Sequence, residues 1–290
     1  MKKFPAGGRA EGVLLVALSA LAFSFLPIFI KYAYADGVGV GTMLALRFTL
    51  AALTLCGIMR LRKQPWPDRR RLPTLISLGA LAYVGQSFCF FAALKYASAG
   101  LVSLLLYLYP ALVLIFGALF FGEKIRPTQI AAVVAALFGT ALIIGGGQEG
   151  RPVGIMLGIG AAVTYAVYLL VGSRVLRNED ALGSVTIICL AAAAVFDVAA
   201  LWQGWAMPTT GAGWLAIFGI VFIATVLAMV AFFAGLARLS PADAATVATL
   251  EPVLTVALAT VLFHEPLGWA KCVGGLVIIA AVLILARHGH

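Results

Sequence analysis

Residues 98–123 read SAGLVSLLLYLYPALVLIFGALFFGE, and residues 240–265 read SPADAATVATLEPVLTVALATVLFHE. The two stretches lie 142 residues apart and match without a gap. Ser98, Leu108, Pro110, Leu112, Phe121 and Glu123 meet Ser240, Leu250, Pro252, Leu254, Phe263 and Glu265. Apolar helices match by chance, so the leucines carry little. The prolines and the terminal glutamates are informative, because each sits at the same place in an apolar run. The same offset pairs Gly12, Leu15, Ala20 and Phe23 with Gly154, Leu157, Ala162 and Tyr165. The chain therefore contains an internal repeat.

The rest of the chain has the same character. Of 290 residues 63% are hydrophobic and 11% charged, where a soluble domain carries about 25% charged residues. A soluble chain could not hide so much apolar surface. A bilayer removes the difficulty, since its core is itself apolar. The net charge of +9 would point to nucleic acid only if it formed a basic patch. Here the charges fall between apolar runs, so the lipid bilayer is the expected partner and nucleic acid is not.

A helix crossing a hydrocarbon core needs about 20 residues. Ten segments fit: 12–34, 41–60, 72–95, 98–122, 127–147, 152–174, 181–202, 212–237, 242–263 and 268–287. The fold class is all-α, with ten transmembrane helices. Turn-forming residues mark the breaks, such as Asp36-Gly37, Pro65-Trp66-Pro67-Asp68 and Asn178-Glu179-Asp180. No cleavage signal follows Met1 to Glu11, so 12–34 reads as a retained first helix. The repeat divides the chain into residues 1–147 and 152–287, with five helices each. An odd number of spans returns the chain to the opposite side, so the second repeat is expected to be inverted, a build used by secondary transporters.

Lys and Arg set the orientation. With the N-terminus cytoplasmic, 15 of the 20 fall on inside segments, 4 at outside ends (Lys31, Lys95, Arg151 and Lys271), and Arg47 within helix two. Both termini are then expected in the cytoplasm, at the inner membrane.

Cofactor and metal motifs do not emerge. Gly145-Gly146-Gly147-Gln148-Glu149-Gly150 lacks the Lys-Ser/Thr end of a phosphate loop and reads as a turn. His264, His288 and His290 show no metal-ligand spacing. Cys56, Cys89, Cys189 and Cys272 read as small core hydrophobes. Neither a nucleophile-base pair nor a metalloprotease pattern occurs, so no enzyme activity is expected.

Ionisable groups at membrane depth are functional candidates, because burying them unpaired is expensive. Glu251 lies nine residues after Ala242, about 13 Å along a helix and near the midplane. Pro252 cannot donate to Ala248, so the helix should bend or open beside the carboxylate. That arrangement suits a proton, a cation or an ammonium group, against a structural pairing with Arg47 or a hydrogen bond within the helix bundle. Tyr109-Pro110 is the image of Glu251-Pro252, and paired helix-bending prolines place a substrate site at the repeat interface. Tyr107 and Tyr109 are two apart, about 200° around a helix, so only one is expected to face a cavity. Arg47 can contact a substrate anion, snorkel or form an ion pair. Gln86 offers a donor and an acceptor. Tyr165 and Tyr168 share a helix face, and with Phe23, the image of Tyr165, form either an aromatic wall or core packing. Lys31 is read as snorkelling and Asp197 as interfacial. Ala131, Ala135 and Gly139 in helix five, Gly154 and Gly158 in helix six, and Gly274 in helix ten mark close packing in scaffold or homodimer contacts.

The runs Leu105-Leu106-Tyr107-Leu108-Tyr109-Pro110-Ala111-Leu112 to Phe121-Gly122-Glu123-Lys124, and Leu250-Glu251-Pro252-Val253 to His264-Glu265-Pro266, resemble the drug/metabolite transporter superfamily, in its ten-helix EamA branch. Arg47-Phe48 and Gly139 fit the same pattern, and the likeness covers about residues 12–287. His264 departs from it, standing where the pattern has Gly. The resemblance implies a secondary transporter working by alternating access around helices one, three, four, six, eight and nine, with a small metabolite as partner and export the favoured direction. An amino acid or similar amphipathic solute is the leading cargo, and protons are a further candidate partner. Organic-cation or drug efflux stays open, as does a receptor or structural membrane protein.

Overall fold

The computed structural model describes residues 6–122, 126–145, 150–175, 181–236, 238–239, 244 and 247–288. Glu123, Ser240, the expected start of helix nine at Ala242, the turn residues 146–149 and Asn178-Glu179-Asp180 lie outside the described residues.

Seven described helices are long and apolar enough to cross a membrane by length and composition, and three shorter apolar helices accompany them. In chain order they are α1 Ala10–Ala35, α2 Val40–Leu61, α3 Leu72–Tyr96, α4 Ala99–Phe121, α5 Pro127–Leu142, α6 Pro152–Gly172, α7 Leu182–Gln203, α8 Gly211–Phe232, α9 Leu250–Phe263 and α10 Trp269–Ile284. The ten spans agree with the hydropathy reading to within a few residues, apart from α9. Their ends follow local chemistry. Ser98 caps α4 by accepting from Leu101 N, and Thr210 caps α8 by accepting from Gly213 N. Pro127 and Pro152 open α5 and α6, where a missing N–H costs nothing. Leu119, Leu201 and Leu215 are exposed on the outside of the bundle, an arrangement that only an apolar solvent makes stable.

Packing follows the repeat. α2 packs on α7, α4 on α9 and α5 on α10, and each of these pairs is its own image when the halves exchange. The contact of α1 with α8 is mirrored by that of α6 with α3, and α1 with α9 by α6 with α4. Irregularities repeat as well. α3 contains a π-helical segment at Leu78–Tyr83 and α8 one at Gly219–Leu227, so the first, shifted by 142, falls inside the second. α4 opens into a turn at Tyr107-Leu108 and α9 at Thr249, the image of Tyr107. The chain is thus two five-helix repeats, inverted because five is odd.

Glycines allow the closest approaches. A Cβ at Gly79 would lie 2.5 Å from the Ile188 carbonyl of α7, and one at Gly139 would lie 2.7 Å from the Gly274 carbonyl of α10. Of the stripe read in the sequence on α5, Gly139 is buried, Ala135 half-buried and Ala131 exposed, and Ala132 and Ala136 are buried beside it. Gly154 and Gly158 of α6 pack against Ala97 and Leu105.

α4 and α9 also end alike. Gly122 closes α4 with φ 66° and His264 closes α9 with φ 52°, both left-handed. That conformation suits glycine and costs other residues about 1 kcal/mol. At the loop beyond α1, Asp36 accepts from Thr209 N and Thr210 N at 2.8 and 3.2 Å and from Thr209 Oγ1 at 3.2 Å. The Thr210 hydroxyl first, and then these amides, hold the Asp36 carboxyl below the usual carboxylate range. It thereby ties the end of α1 to the start of α8.

His264→Gly should therefore raise the thermal midpoint of detergent-solubilised protein, by about 1 kcal/mol of stability; an unchanged or lower midpoint would show that the His264 side chain compensates. A group with a depressed folded pKa contributes stability above its unfolded pKa, about 3.9 for Asp. Asp36→Asn should lower the midpoint at neutral pH, and the gap should close as pH falls through the depressed folded value.

Candidate functional site

Pro110 and Pro252 create the site. Each removes the backbone donor that would have bonded the carbonyl four residues earlier, at Leu106 and Ala248 respectively. In an apolar bundle such a carbonyl needs a new partner. Ala248 O finds it across the repeat interface: the Tyr107 hydroxyl of α4 lies 2.9 Å away. The same hydroxyl lies 3.1 Å from Glu251 Oε2. A hydroxyl carries one hydrogen and faces two acceptors. When Glu251 is ionised, the hydrogen can serve the carboxylate. When Glu251 is protonated, its own O–H can donate to Tyr107, which then donates to Ala248.

The two tyrosines of α4 both reach this place. A turn at Tyr107-Leu108 interrupts the helix on which about a 200° separation was expected; Tyr107 is buried and Tyr109 half-buried. The Tyr107 and Tyr109 ring centroids are 5.9 Å apart, and Tyr109 meets Tyr165 edge-on at 4.8 Å. From Tyr165 the row continues to Tyr168 at 6.0 Å and to Tyr83 at 5.2 Å. Tyr83 closes it edge-on to Phe48 at 5.4 Å. Glu251, Tyr109, Tyr165 and Tyr168 are half-buried although they stand within the bundle.

Glu251 meets Tyr107 of α4 directly, and Tyr109 of α4 and Tyr165 of α6 stand next in the same row of rings. α1 also packs on α9, and there the contact is neutral: Thr255 Oγ1 donates to Ser24 O at 3.4 Å. The ionisable groups of α1 are engaged elsewhere, Glu11 with Arg238 and Lys31 with the Ala97 carbonyl. Lys31 therefore does not snorkel; it holds the turn between α3 and α4.

Arg47 is not paired with Glu251 and does not snorkel either. It is 4% exposed. Its Nε donates to Thr225 Oγ1 at 3.0 Å, and its guanidinium lies 5.0 and 5.2 Å from the Phe48 and Phe91 ring centroids. Asp197 accepts from Thr49 Oγ1 of α2 at 3.0 and 2.8 Å, so it links α7 to α2 rather than lying free at an interface. Gln86 is half-buried, and its amide oxygen accepts from Ser87 at 3.2 Å. Phe23 is half-buried and joins no ring contact among the described residues. Tyr83 and Thr225 escaped the sequence reading. The signal that could have found them is the repeat offset, since they are each other's image and both belong to π segments. Cys189 is buried, Cys56, Cys89 and Cys272 are half-buried, and all four are free thiols. Among the described residues no group of three metal-ligating side chains occurs.

Fold and site together define a polytopic inverted-repeat bundle with an acid and a row of tyrosines between its halves. The chain belongs to the EamA-like transporter family, which matches residues 10–145 and 152–287. It is a membrane transporter protein of that family, and its two matches coincide with the two five-helix repeats. Among its relatives, the aromatic amino acid exporter YddG of Ancylobacter novellus is 27% identical over 285 residues, 94% of this chain and 91% of the relative. The threonine/homoserine exporter RhtA of Salmonella typhimurium is 27% identical over 287 residues, 93% of this chain and 88% of the relative. The uncharacterized inner membrane transporter YedA of Escherichia coli is 27% identical over 248 residues, 83% and 80% of the two chains. One solved crystal structure matches 97% of this chain and 99% of its own at 24% identity with a TM-score of 0.68, a likeness of fold alone.

Tyr107→Phe removes the donor from Ala248 O and from Glu251 while keeping the ring. It should cost about 1–3 kcal/mol of stability, as an unsatisfied buried carbonyl does, read as a lower thermal midpoint in detergent. An unchanged midpoint would mean that Ala248 O has another donor.

Proposed function

We propose that this protein is a secondary active exporter of an amino acid or similar amphipathic solute across the cytoplasmic membrane. The halves, residues 1–147 and 152–287, rock about the interface of α4 and α9, opening one cavity to each side in turn. Both termini are cytoplasmic, as the 15 to 4 distribution of Lys and Arg favours. The observation that carries the reading is the Glu251 carboxylate at the turn of α9, bridged by Tyr107 to the carbonyl that Pro252 frees. Glu251 receives the ammonium group of the cargo or a proton. Tyr109, Tyr165 and Tyr168 offer aromatic faces to the apolar part of the cargo, and Gln86 and Phe23 complete the cavity. The single hydrogen of Tyr107 makes the hydrogen bonding at the α9 turn depend on whether Glu251 is charged, which links proton binding to helix geometry. Relatives named as amino acid exporters over nearly their whole length support the cargo class and the direction.

Efflux of an organic cation is the second reading. A carboxylate beside stacked tyrosines favours it, because such faces attract cations. No cofactor enters either mechanism. A homodimer would use the lipid-facing surfaces and leave the site unchanged.

Counterflow in proteoliposomes, run against a panel of amino acids and quaternary amines with and without a pH gradient, separates these readings. The wild type should exchange amino acids. Glu251→Gln should lose at least about tenfold of the gradient-driven rate, about 1.4 kcal/mol. Exchange of no solute by folded protein would end the transporter reading, and an unchanged rate with unchanged pH dependence would remove Glu251 from it.

A further inference from the structure

We infer that Arg47 is a carboxylate-binding subsite, so that the cargo is a zwitterion whose anionic end is read by α2. This rests on the transporter reading above and deepens it. Arg47 is a cation buried in the middle of a membrane-spanning helix, where an uncompensated charge is costly and marks function. Its protein partners hold it without neutralising it. Thr225 Oγ1 donates to Ile220 O five residues back, at 2.7 Å, a bond that the π turn of α8 permits. That fixed oxygen then accepts from Arg47 Nε. Phe48 and Phe91 cover the guanidinium with their rings.

The two terminal nitrogens have no hydrogen-bond partner among the described residues. They are not sealed in either: the sealed, unpartnered side-chain polar atoms among the described residues are Ser184 Oγ and Thr260 Oγ1. Arg47 keeps 4% of its surface accessible, so the guanidinium edge is not fully enclosed. No acid of the described chain supplies the missing charge. Asp36, Asp68, Asp197, Glu251 and Glu265 accept from Thr209, Arg70, Thr49, Tyr107 and Ala99, and Glu11 pairs with Arg238.

Two parallel N–H groups with a fixed fork match the two oxygens of a carboxylate. The row of rings from Phe48 through Tyr83, Tyr168, Tyr165 and Tyr109 leads from Arg47 to Glu251. An α-amino acid carries both charges on one carbon, too close together to bridge the five rings between Arg47 and Glu251, so Arg47 reads the carboxylate while the rings of the row take the apolar body. A purely structural Arg47, pinning α2 to α8, would hold the helices but would not discriminate among cargoes.

The test compares L-phenylalanine and L-threonine with their carboxamides in counterflow by wild-type protein, Arg47→Lys, Arg47→Met and Thr225→Val. The wild type should prefer each acid to its amide by at least about tenfold, the worth of one charge-assisted hydrogen bond. Arg47→Met should abolish that preference by slowing the acids far more than the amides, and Arg47→Lys should restore part of it. Thr225→Val should weaken the preference while Arg47 stays in place. If Arg47→Met does not fold, thermal stabilisation of the wild type decides: a shift by L-phenylalanine and none by its amide supports the subsite, and equal shifts overturn it. Equal exchange of acids and amides by the wild type, or exchange of carboxylate-free solutes alone, overturns the Arg47 assignment and leaves the transporter reading intact. Exchange of no solute at all removes that reading and this one together.

Discussion

A carbonyl without a donor is intolerable in an apolar bundle, and two prolines at mated positions produce such carbonyls by design of the covalent chain. At Ala248 the donor comes from the other half of the protein, through Tyr107. The break in α9 is thereby stabilised by a side chain that stands at the break in α4. The interruption of α9 draws its donor from the interruption of α4, at the place where the halves meet. Glu251 is admitted to the same place because Tyr107 already stands there.

The remaining irregularities serve that arrangement. The π segments of α3 and α8 overlap under the repeat offset, and Thr225 of the second bonds Arg47 while Tyr83 of the first packs on the adjacent Phe48. Widened turns are frequent at functional positions, because they re-aim side chains without ending the helix. α5 and α10 contain no such features. They pack on one another through Gly139 and Gly274 at the side of the bundle, which fits support rather than passage.

The architecture was legible in the sequence because its signals are physical necessities. A span must be apolar for about 20 residues, and a proline must break a helix wherever it stands inside one. The offset of 142 followed from Pro110 and Pro252, and it matches the turn positions and both left-handed helix ends. The site was legible only in part. Glu251 and Tyr109 announce themselves by chemistry and by the adjacent prolines. Tyr107 was read as an alternative to Tyr109 because periodicity assumes a continuous helix, and the chain loses that phase at the break. Arg47 was offered a substrate anion, an ion pair or the interface, and its bond to Thr225 was missed, since sequence cannot say that α8 widens to present that hydroxyl. The π segments have no sequence marker beyond Gly79 and Gly219, whose need for space appears only once α7 and α1 are packed against them.

Backbone symmetry and charge symmetry part company at two positions. The image of Glu251 is Tyr109, and the image of Arg47 is Cys189, so neither charge has a charged counterpart in the opposite half. A nearly two-fold scaffold thus encloses an electric dipole running from the guanidinium of one repeat to the carboxylate of the other. Low dielectric surroundings and the absence of screening salt let that field persist across the interior. On the proposed reading, with Glu251 ionised, a polar cargo would meet a preferred direction even though the helices around it have none.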